Sequence, residues 1–207
     1  RIKPGNIEDD LEQLRDFDWV VEVIIENLEI KRNLYSKLSK HIGPNTILSS
    51  NTSTLPRTEL IAELPAEVAS RFLITHFFNP PRYLPLLEVV TSPEVDEDIV
   101  QRFCRFADLK LGKRVTMCND RPGFIGNRLG IYFIQRAFKA TLDHGLSVEQ
   151  ADAMLGRPIG LPKTAVFALM DLVGIDLIPH VTQSLLSHLP DEDPFHQIAG
   201  VGEDIVL

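Results

Sequence analysis

A chain of 207 residues, 44% hydrophobic and 24% charged, lies in the ordinary globular range and can form one large domain or two small ones around a proper core. A formal net charge of −8 argues against a nucleic-acid partner, because a phosphate backbone calls for a basic face. No apolar run approaches the roughly 18 residues of a membrane helix, and the N-terminus carries no basic-then-apolar secretion signal.

The first half, to about Asp120, alternates short β-branched runs with helical stretches. Trp19–Ile25 (WVVEVII) is predicted as a strand. Over Leu28–Ile42, the residues Leu28, Leu34, Tyr35 and Leu38 fall at helical spacing with charges between them, and Gly43-Pro44-Asn45 stops that helix. Thr46–Ser50 reads as the next strand and Thr58–Leu64 as a short helix. Arg71–Phe78 and Leu84–Val90 follow as strands, Pro93–Leu109 as a strongly amphipathic helix, and Lys113–Cys118 as a last strand. Alternation of this kind predicts an α/β layer fold with a largely parallel sheet.

From about Arg121 the strand signal all but vanishes. Phe124–His144 reads as one long helix stopped by Gly145, and Ser147 with Gln150 three residues later is a capping-box pattern for the next helix. Ala165–Leu189 is helical again, with breaks expected around Gly174 and Pro179. The tail from Pro190 is acidic and interrupted by Pro and Gly, and reads as a loop, a linker or the start of a further segment. The expected fold class is therefore α/β plus all-α, with domains 1–120 and 121–207. Cys104 and Cys118 belong to no C-x-x-C pair, so they read as packed thiols of a reducing compartment, and a cytoplasmic protein is the default expectation. Arg1 stands where a Met would, so the chain reads as a fragment or a processed product.

His76 is the most informative of the six histidines. It falls at the C-terminal end of a predicted strand, in THFFNPP, and open α/β sheets bind ligands beyond the carboxyl ends of their strands. Twelve residues on, Glu88 sits in the apolar run LPLLEVV, where a carboxylate must be paired, solvated at a strand end or destabilising. A Glu beside an imidazole would support the positive charge the ring takes on when it accepts a proton. The plain alternative is a hydrogen-bonded core histidine and a solvated Glu. Ser49-Ser50-Asn51-Thr52-Ser53 follows a predicted strand directly, and Glu26-Asn27 ends another with Lys31 one helical turn further on; helix capping explains both nearly as well. Asn127 opens the long helix after Pro122-Gly123-Phe124. These clusters fall mostly at strand-to-helix junctions on one edge of the sheet, which makes that edge the default binding-site hypothesis.

SSNTS, then HFFNP with a Glu twelve residues after its His, then DRPGFIGNRL, resemble the L-3-hydroxyacyl-CoA dehydrogenase family, and GRPIGLPKTAVFALMDLVGID resembles the pattern of that family's helical domain. The resemblance runs from about Asp18 to His188; HFFNP with its spaced Glu is highly specific, whereas N-T-S alone would not be. It implies the C-terminal part of a Rossmann-type NAD-binding domain (1–120) followed by a helical substrate and dimerisation domain (121–207). It implies oxidation of an acyl-CoA thioester substrate, L-3-hydroxyacyl-CoA, to 3-oxoacyl-CoA in fatty acid β-oxidation, with NAD as cofactor and a homodimer formed through the helical domain. His76 would be the base and Glu88 its support. Ser53 and Asn127 would hold the substrate oxygen and the thioester end, while Glu26, Lys31, Ser53 and Asn79 would line the ribose and nicotinamide side. The cofactor would do the redox work, leaving the protein to bind and orient.

The sequence departs from that pattern in lacking any G-x-G-x-x-G loop, the strand before it and the acidic residue that reads the ribose. In the family this segment would stand before Arg1, so the resemblance implies an N-terminally truncated chain that binds NAD poorly and has little or no activity alone. The spacing from Ser53 to His76 is slightly long, as if an extra loop residue or two lay around Pro65. HFFNPPRYLPLLEVV looks like the dehydrogenase portion of longer bacterial β-oxidation proteins that carry a fused hydratase, with the tail after Pro190 as the start of a link. Two other readings remain open: a dehydrogenase of a different hydroxy acid on the same fold, and a non-catalytic assembly module. A metal enzyme is disfavoured, since His144, His180, His188 and His196 show neither H-x-x-x-H nor H-E-x-x-H spacing.

Overall fold

Five short runs become five strands among the described residues; in the three inner ones the side chains alternate between two buried faces, whereas the two edge strands are partly exposed. The five are β1 (Trp19–Glu22), β2 (Ile47–Ser50), β3 (Phe72–Phe77), β4 (Leu86–Val90) and β5 (Arg114–Cys118), in the spatial order β1-β2-β3-β4-β5. One face carries Leu48, Phe72, Ile74 and Val90 against Tyr35 and Leu38; the other carries Ile47, Leu73, Leu87 and Val89 against Phe103 and Ala107. The computed structural model describes residues 2–199, apart from the side chain of Leu177. The last eight residues of the predicted tail lie outside the described residues.

β1, β2 and β3 run parallel, as does β5 beside β4, but β4 runs antiparallel to β3. The largely parallel sheet therefore has one reversal, and its cause is length. The connection 78–85 is too short for a parallel crossover, which takes about a dozen residues or more. β1 stops at Glu22, before the predicted Ile25, because the Glu22 carboxylate accepts the Ile24 N–H and turns the backbone out of the ladder.

Among the described residues, a 3-10 helix at Leu11–Asp16 and four α-helices complete this part. In α1 (Leu28–Leu38) the Asn27 side chain caps the Ile30 N–H, and Tyr35 and Leu38 are buried. The predicted 58–64 helix shrinks to one turn, α2 (Arg57–Leu60), whose first N–H groups at Arg57 and Thr58 are taken by the Asp120 carboxylate. A further single turn, α3 (Ala66–Ala69), was not expected. In α4 (Glu97–Leu111) Asp96 caps the start, and Gly112 ends the helix at φ +65°, a left-handed conformation that glycine adopts freely.

By its internal packing the chain divides into a unit of residues 1–124 and a second of residues 125–207. The second is helical: α5 (Gly126–Asp143), α6 (Val148–Leu155), α7 (Phe167–Val173) and α8 (Leu177–His188). Ile134, Phe138, Val166, Phe167, Met170 and Leu185 form its core. The capping box at Ser147 and Gln150 is present with both hydrogen bonds. The predicted 165–189 helix is interrupted at Gly174, whereas Pro179 is accommodated in the first turn of α8, where its missing N–H costs nothing. The described part of the acidic tail is packed: Phe195 is fully buried in the helical core, and Asp193 pairs with Arg128 while accepting the Phe195 N–H.

Candidate active site

The reversal of β4 places His76 directly opposite Glu88 in the strand register. Directly opposed residues on neighbouring strands bring their Cβ atoms within about 5 Å. The His76 Nδ1 and the Glu88 Oε2 lie 2.7 Å apart, with both side chains buried. A carboxylate only accepts, so it holds the ring proton on Nδ1 and leaves the Nε2 lone pair as the ring's acceptor. His76 is the penultimate residue of β3, at its C-terminal end as expected, on the sheet face shared with Phe72 and Ile74. Phe78 and Phe124 flank its ring, with centroids 4.5 and 5.8 Å away. Phe124 holds φ +47°, an outlier for a bulky residue, next to the dyad. The Cys118 Sγ is 3.7 Å from the other oxygen, Glu88 Oε1. This thiol, expected to be incidental, thus touches the dyad.

A second polar cluster occupies the carboxyl ends of β1 and β2. Glu22 is 3% exposed, and its Oε1 accepts from Lys31 Nζ (2.8 Å) and the Ile24 N–H (2.5 Å). Its Oε2 accepts from the Tyr35 hydroxyl (2.5 Å) and the Ser50 hydroxyl (2.7 Å). Lys31, 1% exposed, also donates to Ile24 O at 3.3 Å and pairs with Glu26 Oε2 at 3.2 Å. The Glu26 side chain is 36% exposed, and its Oε1 accepts from the Thr52 hydroxyl, the Ser53 N–H and both polar groups of Thr54. Burial works against the Glu26 charge, but Thr52, Lys31 and the Ser53 N–H outweigh it and hold its pKa below the usual carboxylate range.

The expected residues therefore fall into groups. His76 and Glu88 form one hydrogen-bonded pair, and Glu26, Lys31 and the Ser53 backbone form another. Asn51, following β2, accepts the Phe77 N–H at 2.9 Å and ties the Ser49–Ser53 segment to the end of β3. The Ser53 hydroxyl has no hydrogen-bond partner among the described residues. Asn79 is exposed, just after Phe78, on a loop whose Pro81 and Leu84 carbonyls accept from Lys113. Asn127 belongs to the second unit, in the first turn of α5.

Sequence reasoning missed Glu22, Tyr35 and Cys118 as members of these clusters, whereas Ser50 and Asn51 lie in the polar segment it marks. For Glu22 the signal was present, since it is a carboxylate in an apolar run, as Glu88 is.

A largely parallel five-stranded sheet with helices, joined in sequence to a helical unit, is the architecture of the C-terminal part of a Rossmann-type NAD-binding domain followed by a helical domain. Residues 1–121 match the NAD-binding domain of 3-hydroxyacyl-CoA dehydrogenase, and residues 123–201 match the C-terminal domain of 3-hydroxyacyl-CoA dehydrogenase. The chain belongs to the 3-hydroxyacyl-CoA dehydrogenase family. A protein of Rickettsia felis, "Putative fatty acid oxidation complex trifunctional enzyme", is 43% identical over 95% of this chain, which spans 27% of that protein. A protein of Deinococcus radiodurans, "Probable 3-hydroxyacyl-CoA dehydrogenase", is 42% identical over 94% of this chain, which spans 56% of it. The crystal structure of M. tuberculosis FadB2 is similar at a TM-score of 0.83 and 29% identity, over 95% of this chain and 68% of that one. The chain thus spans between about a quarter and just over half of these two curated relatives' lengths.

Proposed function

We propose that this chain supplies the proton-transfer pair, and part of the cofactor and substrate surfaces, of an NAD-dependent L-3-hydroxyacyl-CoA dehydrogenase acting in fatty acid β-oxidation. The observation that carries the reading is the buried His76–Glu88 pair, 2.7 Å apart, in a chain of this family. His76 Nε2 takes the proton of the substrate 3-hydroxyl as the alcohol becomes a ketone. Glu88 fixes the ring and balances the charge it gains. Phe78 and Phe124 keep water from the ring. In this reading the Ser53 hydroxyl orients the substrate oxygen, and Asn127, on its sequence context alone, is assigned to the thioester end.

A bound NAD would supply the hydride acceptor for C3. The donor set fits the nicotinamide-ribose side of that cofactor. Glu26 is about one-third exposed just beyond the carboxyl end of β1, and among the described residues only Lys31 reaches its Oε2, which leaves a lone pair for a ribose hydroxyl. Asn79, exposed after β3, is the second group on this side. The 207 residues contain no G-x-G-x-x-G loop to cradle the pyrophosphate, so by themselves they are expected to hold NAD weakly and turn over slowly, if at all. A homodimer formed through the second unit belongs to the same reading; Leu129, Met154 and Leu172 expose apolar surface there. So does a cytoplasmic setting.

The test is acetoacetyl-CoA reduction by NADH in a longer form that carries a Gly-rich loop, beside the 207-residue chain. His76→Gln in the longer form should lower turnover by about 100- to 10,000-fold, with NADH affinity unchanged. Turnover within a factor of two of the parent would remove His76 from the role of base.

A further inference from the structure

The residues expected to touch the cofactor include Lys31, yet the ammonium is 1% exposed and its three N–H donors face three protein acceptors: Glu22 Oε1, Glu26 Oε2 and Ile24 O. No donor remains for a ribose. Glu22 mirrors this count, because a carboxylate offers about four lone-pair sites and Glu22 meets four donors, from Lys31, Ile24, Tyr35 and Ser50. Tyr35 and Ser50 are both fully buried. The chain of contacts then continues outward from Lys31 to Glu26, and from Glu26 to the Ser53 N–H and the Thr52 and Thr54 hydroxyls. One polar network therefore links the buried interior of α1 to the exposed edge where the proposed cofactor and substrate groups stand.

We infer that Glu22, with Tyr35 and Ser50, is a positioning hub: it fixes the Lys31 ammonium, which orients Glu26 toward the cofactor ribose and shapes the loop carrying Ser53. The inference rests on the proposed dehydrogenase reading and extends it to residues that touch neither cofactor nor substrate. Lys31 acts through Glu26, as a positioning residue, and the hub has the right chemistry for that work. Its pairs are short and dry, and every donor and acceptor of Glu22 and Lys31 is used, so neither side chain has a second arrangement of equal quality. Burial, then the Glu22 charge, drive the Tyr35 phenol pKa far upward, so its proton stays in place as a permanent donor. Glu26, by contrast, keeps one oxygen with spare capacity at the surface. The rigid part of the network is inside and the receptive part is outside.

The experiment uses the longer, loop-bearing protein and the variants Tyr35→Phe, Ser50→Ala and Glu22→Gln. NADH affinity is measured by fluorescence titration, KM is measured separately for NADH and acetoacetyl-CoA, and the Ser53 amide is followed by NMR. Tyr35→Phe removes one hydrogen bond to a charged group and should weaken NADH binding about 3- to 10-fold; Glu22→Gln leaves Lys31 short of its counter-charge and should weaken it about 10- to 100-fold. In each variant KM for NADH should rise at least about threefold more than KM for acetoacetyl-CoA, and the Ser53 amide resonance should move, since Glu26 accepts its proton. A merely structural role would lower the melting temperature and alter both KM values alike. Should Glu22→Gln not fold, Tyr35→Phe and Ser50→Ala, each losing one hydroxyl, carry the test. An active parent whose folded variants keep NADH affinity and the KM ratio overturns the hub and leaves the dehydrogenase reading intact. A parent that does not bind NADH overturns the reading and the hub together.

Discussion

Two glutamates stand in apolar strands of this protein, and each is tolerated because its neighbours answer its charge. Glu88 meets the His76 ring at 2.7 Å and the Cys118 thiol at 3.7 Å, and Glu22 meets an ammonium, two hydroxyls and a backbone N–H. Burying a carboxylate without such partners costs several kcal/mol, so removing any one of them is felt. Tyr35 gives this a pH signature. Burial and the Glu22 charge raise the phenol pKa well above its ordinary value of about 10. Its folded pKa exceeds its unfolded one, so the stability it contributes is present below about pH 10 and is lost as pH rises further, because only the unfolded chain releases the proton. Above that point the loss amounts to about 1.4 kcal/mol per pH unit from this one group. Tyr35→Phe should therefore flatten the alkaline limb of a plot of urea-unfolding stability against pH relative to the parent. Parallel limbs would mean that Tyr35 ionises in the folded protein.

Among the elements, α7 shows how a helix start can be held from outside. Its own N-cap position, Val166, has no side chain to spare, but Asp152 on α6 accepts the N–H groups of Val166, Phe167 and Ala168 at 2.8–3.0 Å. Asp152→Ala should cost about 1–2 kcal/mol as a lost cap and lower the melting temperature by about 2–6 °C in a protein of this size; a calorimetric scan within about 1 °C of the parent would mean that water replaces the carboxylate. That cap was not legible in the sequence, because it joins residues fourteen to sixteen positions apart. The box at Ser147 and Gln150 was legible because it is local. All five strands were readable from their apolar, β-branched runs, but the direction of β4 was not drawn from LPLLEVV, since an apolar run carries no polarity. The signal lay in the brevity of 78–85. At the site, the twelve-residue spacing marked His76 and Glu88, and the reversed register supplies its physical reason. Glu22 escaped notice because WVVEVII reads as one unbroken strand, when its own carboxylate ends β1.

At the scale of the whole molecule, the first unit assembles its chemistry from parts of unequal depth. Lys31, Glu22 and Tyr35 lie inside, Glu26 and Asn79 lie at the surface, and the dyad sits on β3 and β4. β3 is the middle strand of five, paired on both sides and buried from Phe72 to His76. Proteins open locally before they unfold globally, and central strands are usually the last to exchange their amide hydrogens, whereas segments held mainly by side-chain contacts exchange early. Residues 52–54 belong to the second kind, with their N–H groups at Ser53 and Thr54 given to the Glu26 carboxylate instead of to a ladder. Hydrogen–deuterium exchange of the 207-residue chain should find the amides of Leu73–Thr75 among its slowest and those of Ser53 and Thr54 faster by orders of magnitude; equal rates would show the unit opening in one step. The dyad then outlives the surface around it. On the proposed reading, mild denaturant would loosen the cofactor-side surface around Glu26 and Ser53 while His76 and Glu88 still face each other, so failure under stress would begin as a fault of recognition and only later become a fault of chemistry.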